Sequence, residues 1–260
     1  MVSTGLDRVA RGDLSKRLRG RPWALLAHPA SVDRRLRHAL DVLTGMGVSV
    51  PLLLGPEHGW AGAAQDMEPV GEGQAGRRVV SLYGSEVSSL RPTPDQLEGV
   101  DGIIIDLQDV GSRYYTYVAT MGFCMETAAA IGKEVIVLDR PNPIGGRPED
   151  VEGPSVEPGF ESFVSAFPAP MRHGLTMGEL AVWWRAHGQL DVDLTVVEVE
   201  GWAREDMHDA TGLPWVLPSP NMPTLDSALV YPGMCLFEGT DLSEGRGTTR
   251  PFELVGAPGI

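Results

Sequence analysis

Gly102-Ile103-Ile104-Ile105-Asp106-Leu107-Gln108-Asp109-Val110-Gly111-Ser112-Arg113-Tyr114-Tyr115 passes from an unbroken apolar run into a polar one. An apolar run without alternation is what a strand buried on both faces carries, as in a parallel sheet covered by helices. Similar runs flank it. Residues 23–27 and 48–54 read as strands before it, with residues 79–83 as a short third. Residues 135–138 and 194–199 read as strands after it. Helical patterns fall between. Leu36, Leu40, Leu43 and Met46 share a face and predict a helix over 34–46. Residues 115–131 read as a helix closed by Gly132. Thr176 and Glu179 form a T-x-x-E capping box for a helix over 177–187, stopped by Gly188.

Strand and helix alternating in this way predict an α/β fold: a Rossmann-like open parallel sheet with helices on both faces, over residues 1–213. From Pro214 the order gives way to Pro, Gly and polar turns. Residues 214–260 are expected to be site-building loops and the start of a second, smaller domain, with apolar surface left uncovered.

Composition narrows the function. Apolar residues make up 42% of 260, enough for a sizeable core. A net charge of −14 argues against nucleic acid or an anionic membrane surface as partner, because both select clustered Lys and Arg. Cys124 and Cys235 each sit in an apolar stretch and read as buried thiols. No CxxC or HExxH spacing calls for a metal, and no cofactor is expected. The first residues lack a basic segment followed by an apolar run, and no 18-residue apolar stretch occurs. The chain as given is therefore expected to be cytoplasmic, with export open if a leader was trimmed.

In open parallel sheets, ligands bind beyond the carboxyl ends of the strands. Three strand ends here deliver polar clusters: Gly55-Pro56-Glu57-His58-Gly59, Asp106 to Tyr115, and Asp139-Arg140-Pro141-Asn142. One acidic residue after a strand is usually a turn former or a cap, but Glu57, Asp106, Asp109, Asp139 and Arg140 together point to a shared rim. Glu57, in a tight loop between Pro56 and Gly59, is the leading candidate for a general acid; glycoside hydrolysis needs such a carboxyl, usually with a second nearby. Its bland reading is a helix cap. His58 reads equally as a scaffold group. The tail carries a second constellation, with Asn221, Glu238, Glu244 and Arg246 among Gly and hydroxyl residues. Arg246 and Arg113 could grip a sugar carboxylate bidentately, or could satisfy acids within the fold. Trp60 could stack on a sugar, whereas Trp183 and Trp184 read as one core and one surface residue of a helix. Gly71-x-Gly73-x-x-Gly76 matches a dinucleotide fingerprint in letters only, since no strand precedes it and no helix follows. Gly245 to Thr249 lacks the Gly-Lys-Thr of a P-loop.

PEHGW, SLYG, DLQDVGSRYYTY, LDRPNPIGG, VEG, HGLTMGELA, PSPNMPT, YPGMCLFEGTDLSEGRGTT and PFELVGAP follow one another along nearly the whole chain. In this order they resemble the exo-acting β-N-acetylmuramidases, a glycoside hydrolase family formerly known as a domain of unknown function. The resemblance implies a Rossmann-like domain joined to a smaller C-terminal domain with the cleft between them. It implies release of N-acetylmuramic acid from the non-reducing ends of peptidoglycan fragments, without metal or nucleotide. Carried over, it puts Glu57 in the catalytic position, with His58, Asp106, Asp109 and Glu244 as further catalytic candidates. It puts Gln108, Arg113, Tyr114, Asp139, Arg140, Asn142, Asn221, Glu238 and Arg246 around the muramic-acid sugar. Asp241 stands where the family's EGTN pattern carries Asn. The alternatives are a non-catalytic muropeptide-binding module, which would not need Glu57, and a nucleotide-binding protein, which the failed fingerprint disfavours.

Overall fold

The computed structural model describes residues 1–60, 76–84 and 86–259. Six strands, β1 (Pro22–Ala27), β2 (Ser49–Gly55), β3 (Arg78–Ser81), β4 (Gly102–Asp106), β5 (Glu134–Leu138) and β6 (Leu194–Val197), form one sheet. Its order is β3-β2-β1-β4-β5-β6, and every pairing is parallel. All strands therefore end at the same edge, and the order reverses between β1 and β4. The helices are α1 (Gly5–Ala10), α2 (Ser15–Leu18), α3 (Ala39–Gly45), α4 (Tyr117–Ala130), α5 (Met177–His187), α6 (His208–Thr211) and α7 (Leu225–Met234).

The period of two along each strand divides the core. Ala24, Leu26, Leu52, Leu54, Ile103, Ile105, Val135 and Val137 face one way, into a cluster that includes α4 and α5 residues. Trp23, Leu25, Leu53, Ile104, Ile136 and Leu138 face the other, onto Leu6 and Val9 of α1 and Val42 and Leu43 of α3. The expected α/β architecture, with helices on both faces, is what the chain adopts. On one face α4 and α5 meet closely: a Cβ on Gly122 would lie 2.1 Å from the Trp184 ring, so only glycine lets the helices approach. Trp184 is buried and Trp183 partly so.

Some local readings change. The helix expected over 34–46 is shorter, Ala39–Gly45. Asp33 takes the preceding residues into a turn instead, accepting from the Arg35 and Arg37 amides at 2.9 Å each. Leu36 is left at φ 61 and exposed. The N-terminal helix α1 carries a Thr4–Asp7 capping box, a signal of the same kind as Thr176–Glu179. Tyr231-Pro232-Gly233, expected in a loop, lies within α7. Pro232 sits in its last turn, where the lost amide costs one bond. The tail shares the main core through Met222, Ala228, Tyr231 and Phe252, while Leu229, Leu236, Leu254 and Val255 are exposed. The Gly71–Gly76 stretch falls outside the described residues except for Gly76. Among the described residues no helix is long and apolar enough to cross a membrane.

Candidate functional site

At the end of β2 the chain makes a tight turn through Pro56-Glu57-His58-Gly59, closed by the Gly59 amide on the Pro56 carbonyl at 2.9 Å. His58 takes φ 69, the left-handed conformation that the third position of a type II turn requires and that a non-glycine residue adopts only at some cost. The turn lifts Glu57 off the sheet edge. Glu57 Oε2 accepts a hydrogen bond from the Thr116 hydroxyl at 2.6 Å, where α4 begins. A cavity of about 640 Å³ opens beside it.

The cavity is walled by several parts of the chain. The β2 turn and the loop before α4 supply Glu57, His58, Tyr114 and Thr116; the tail supplies Asn221, Glu238 and Arg246. Tyr83 and Phe163 form an aromatic wall, their rings 5.9 Å apart and tilted by 37°. Buried polar contacts hold the tail against the sheet. The Pro218 carbonyl accepts from the Tyr117 hydroxyl at 2.7 Å and lies 3.3 Å from His28 Nδ1. His28 Nε2 accepts the Gln108 amide at 3.0 Å, which assigns the ring proton to Nδ1. Burial, then the Arg140 charge, pushes the His28 pKa down to about 3, so the ring is a neutral link between β1, β4 and the tail.

Of the residues singled out from sequence, Glu57, His58, Tyr114, Asn221, Glu238 and Arg246 meet at this cavity. The others lie elsewhere. Asp106 is fully buried and makes a two-pronged ion pair with Arg140, Nε–Oδ1 2.5 Å and Nη2–Oδ2 3.0 Å. Asp109 Oδ2 accepts from His173 Nε2 at 3.1 Å and from the Gly111 amide at 2.7 Å. Asp139 receives the Gly178 amide at 2.6 Å and the Thr176 hydroxyl at 3.1 Å, tying β5 to the start of α5. Burial lifts its pKa to about 6 against those hydrogen bonds. Gln108 and Arg140 border a separate, much smaller space near His208. Asn142 bonds the Leu175 carbonyl at 3.0 Å. Arg113 donates to the carbonyls of Pro154 at 2.7 Å and Ala169 at 2.5 Å. Glu244 is buried and faces the cavity only through Arg246, at 3.1 Å. Arg246 also pairs with Glu238 and lies over the Phe252 ring, 5.1 Å from its centre. Trp60 is buried against His38 rather than presented for stacking.

Glu57, Asp106 and Asp139 thus share the sheet edge but not a pocket. Sequence reading passed over Thr116, Tyr83 and Phe163. An aromatic residue within a polar loop is the signal that Phe163 offered. Thr116 offered none, since the sequence put it inside the helix expected over 115–131, which in the structure begins at Tyr117. Among the described residues, no group of His, Cys, Asp and Glu has the arrangement to hold a metal ion.

Comparison with known proteins fits this layout. Residues 23–226 match the model of the exo-β-N-acetylmuramidase NamZ N-terminal domain, and residues 229–260 match that of its C-terminal domain. The peptidoglycan β-N-acetylmuramidase NamZ of Bacillus subtilis (strain 168) is 47% identical over 263 residues, which cover 100% of this chain and 62% of that protein. The chain therefore spans less than two thirds of that relative's length. The crystal structure of a DUF1343 family protein from Bacteroides fragilis superposes with a TM-score of 0.87 at 40% identity, covering 98% of this chain and 65% of that one. A second from the same organism gives 0.82 at 31%, covering 99% and 67%. The parallel sheet, the Glu57 turn at its edge and these matches have one reading: the chain belongs to the exo-β-N-acetylmuramidase NamZ family.

Proposed function

We propose that this protein is a glycosidase that releases N-acetylmuramic acid from the non-reducing end of peptidoglycan fragments, with Glu57 as the general acid. The observation that carries this reading is the Glu57 carboxyl, lifted off the sheet edge at a cavity large enough for a sugar. Glu57 gives its proton to the glycosidic oxygen as the bond to the anomeric carbon breaks. Among the described residues Glu238 is a second carboxylate lining the cavity, and in this reading it stabilises positive charge at the sugar ring. Tyr83, Phe163 and Tyr114 offer apolar faces to the ring carbons. Asn221 suits hydroxyl or acetamido groups. Arg246 suits the lactyl carboxylate, at the cost of loosening its grip on Glu238. Asp106, Asp109, Asp139, Arg140 and Glu244 serve the frame, holding strand ends and loops in place. Glu57→Gln keeps the side chain's shape and removes the transferable proton. On a muramic-acid–glucosamine disaccharide it is expected to lower turnover by roughly 10²–10⁴-fold with the melting temperature unchanged. An unchanged rate with a lowered melting temperature would return Glu57 to the scaffold and favour a binding module.

A further inference from the structure

Among the described residues, α1, α4, α5 and α7 are each preceded by a threonine at the capping position: Thr4, Thr116, Thr176 and Thr224. Three behave alike. The Thr4, Thr176 and Thr224 hydroxyls accept the amides of Asp7 at 3.2 Å, Glu179 at 3.2 Å and Ser227 at 3.1 Å, the usual way to satisfy a helix start. Thr116 does not. It has helical backbone angles, φ −65 and ψ −14, and its hydroxyl makes no capping bond to α4. It donates instead to Glu57 Oε2 at 2.6 Å, across 59 positions of sequence. Thr116 is 8% exposed and borders the cavity, beside the Glu57 carboxyl that accepts its hydrogen bond. A helix that forgoes its cap beside a carboxyl in a cavity has placed the hydroxyl for the carboxyl.

We propose that Thr116 is a positioning residue that fixes which oxygen of Glu57 carries the proton. This rests on the reading of Glu57 as the acid. A carboxyl has two equivalent oxygens and a rotatable plane. With Oε2 accepting from Thr116, Oε2 is the carbonyl-like oxygen of the protonated form, and the proton resides on Oε1. From Oε1 it passes to the bridging oxygen as the bond to the anomeric carbon breaks; the departing sugar leaves as an alcohol, Glu57 remains as carboxylate, and a water oxygen bonds to the anomeric carbon and gives up a proton, which completes the hydrolysis. Once ionised, Glu57 keeps the same Thr116 bond, which strengthens as charge develops on the acceptor. The residue acts before and after transfer without itself exchanging a proton with substrate.

The test uses Thr116→Val, of similar shape without the donor, and Thr116→Ser, which keeps it. Each is assayed in the intact protein on two substrates. One is the muramic-acid–glucosamine disaccharide, whose sugar leaving group needs protonation. The other is a 4-nitrophenyl β-N-acetylmuramoside, whose leaving group departs with little help. Thr116→Val is expected to lower kcat on the disaccharide by about tenfold or more, within the range that general acid catalysis supplies. It should lower kcat on the nitrophenyl substrate much less, with KM and melting temperature near those of the parent. Thr116→Ser should recover most of the loss. Equal losses on both substrates, a loss that follows the melting temperature, or no recovery by serine would overturn the assignment. So would an unchanged rate for Thr116→Val in a preparation that cleaves the disaccharide. A parent protein that cleaves neither substrate would overturn the muramidase reading itself, and this assignment with it.

Discussion

Glu57 leaves the end of β2, accepts from the Thr116 hydroxyl and lines a cavity. Asp106 leaves the end of β4, on the same edge of the same sheet, and meets a guanidinium that takes both its oxygens. Both are strand-end carboxylates of the kind that marks a rim in an open parallel sheet. The difference lies in what remains for an incoming ligand. Asp106 is fully buried, and Asp139 has its oxygens engaged by the chain. Strand-end position nominates a residue for chemistry, and the accounting of its lone pairs decides between chemistry and framework.

The sharpest way to break this comparison is to remove each carboxylate. Asp106→Ala leaves Arg140, 5% exposed, as a buried charge without its partner. Breaking a buried pair from one side costs about 3–5 kcal/mol, so urea unfolding should show a loss of that size. Glu57→Gln should show none. An Asp106→Ala protein as stable as its parent would erase the distinction between the two edges.

Acid probes the next link. His28 has its pKa held at about 3 by burial and by Arg140, below the ordinary value of 6.5. The folded state therefore binds fewer protons than the unfolded chain between these values. Its contribution to stability is complete above about pH 6.5 and is lost as pH falls toward 3, by at most about 1.4 kcal/mol per pH unit. Asp139 works in the opposite sense, since its folded pKa of about 6 lies above the usual 3.8, and it gains stability as pH falls through that window. His28→Gln should therefore unfold less steeply with acid than the parent when urea midpoints are compared between pH 7 and 5. Equal slopes would show that the His28 link carries no weight there.

The smallest expected effect on stability is at the tail. Arg246 and Glu238 are 46% and 38% exposed in their side chains, and such pairs contribute at most about 1 kcal/mol. Arg246→Gln also takes the ion-pair partner from the buried Glu244, 3.1 Å away, so it should lower the melting temperature modestly and, in the proposed reaction, raise KM for the muramoside. A large loss of stability without a change in KM would move Arg246 to the framework beside Arg140.

The sheet was legible in the sequence because its evidence is local. An unbroken Ile103-Ile104-Ile105 run is buried on both faces wherever it sits, and Thr176–Glu179 caps its helix with neighbours three residues apart. Arg34–His38 misled because helical spacing of Leu36 with Leu40 cannot register the competing Asp33 turn. The strand-end rim was legible as a set, but not its division, because the partners that decide it are remote. Arg140 reaches Asp106 across 34 positions and Gly178 reaches Asp139 across 39. Thr116 was passed over for a related reason: the sequence put it inside a helix over 115–131, whereas α4 begins at Tyr117, and only its bond to Glu57 across 59 positions shows its role.

The closure at Pro218 carries a consequence for how the chain comes together. Its carbonyl joins Tyr117 across 101 positions and His28 across 190. Parallel strands already need long crossovers, and contacts this remote must await them, since the entropy of closing a long loop is lost before any contact offsets it. During refolding the helices and the strand pairs of the sheet should report native signal while the cavity is still unwalled on the tail side. Recovery of the proposed sugar cleavage would then lag behind recovery of secondary structure, a late clock for folding rather than an early one.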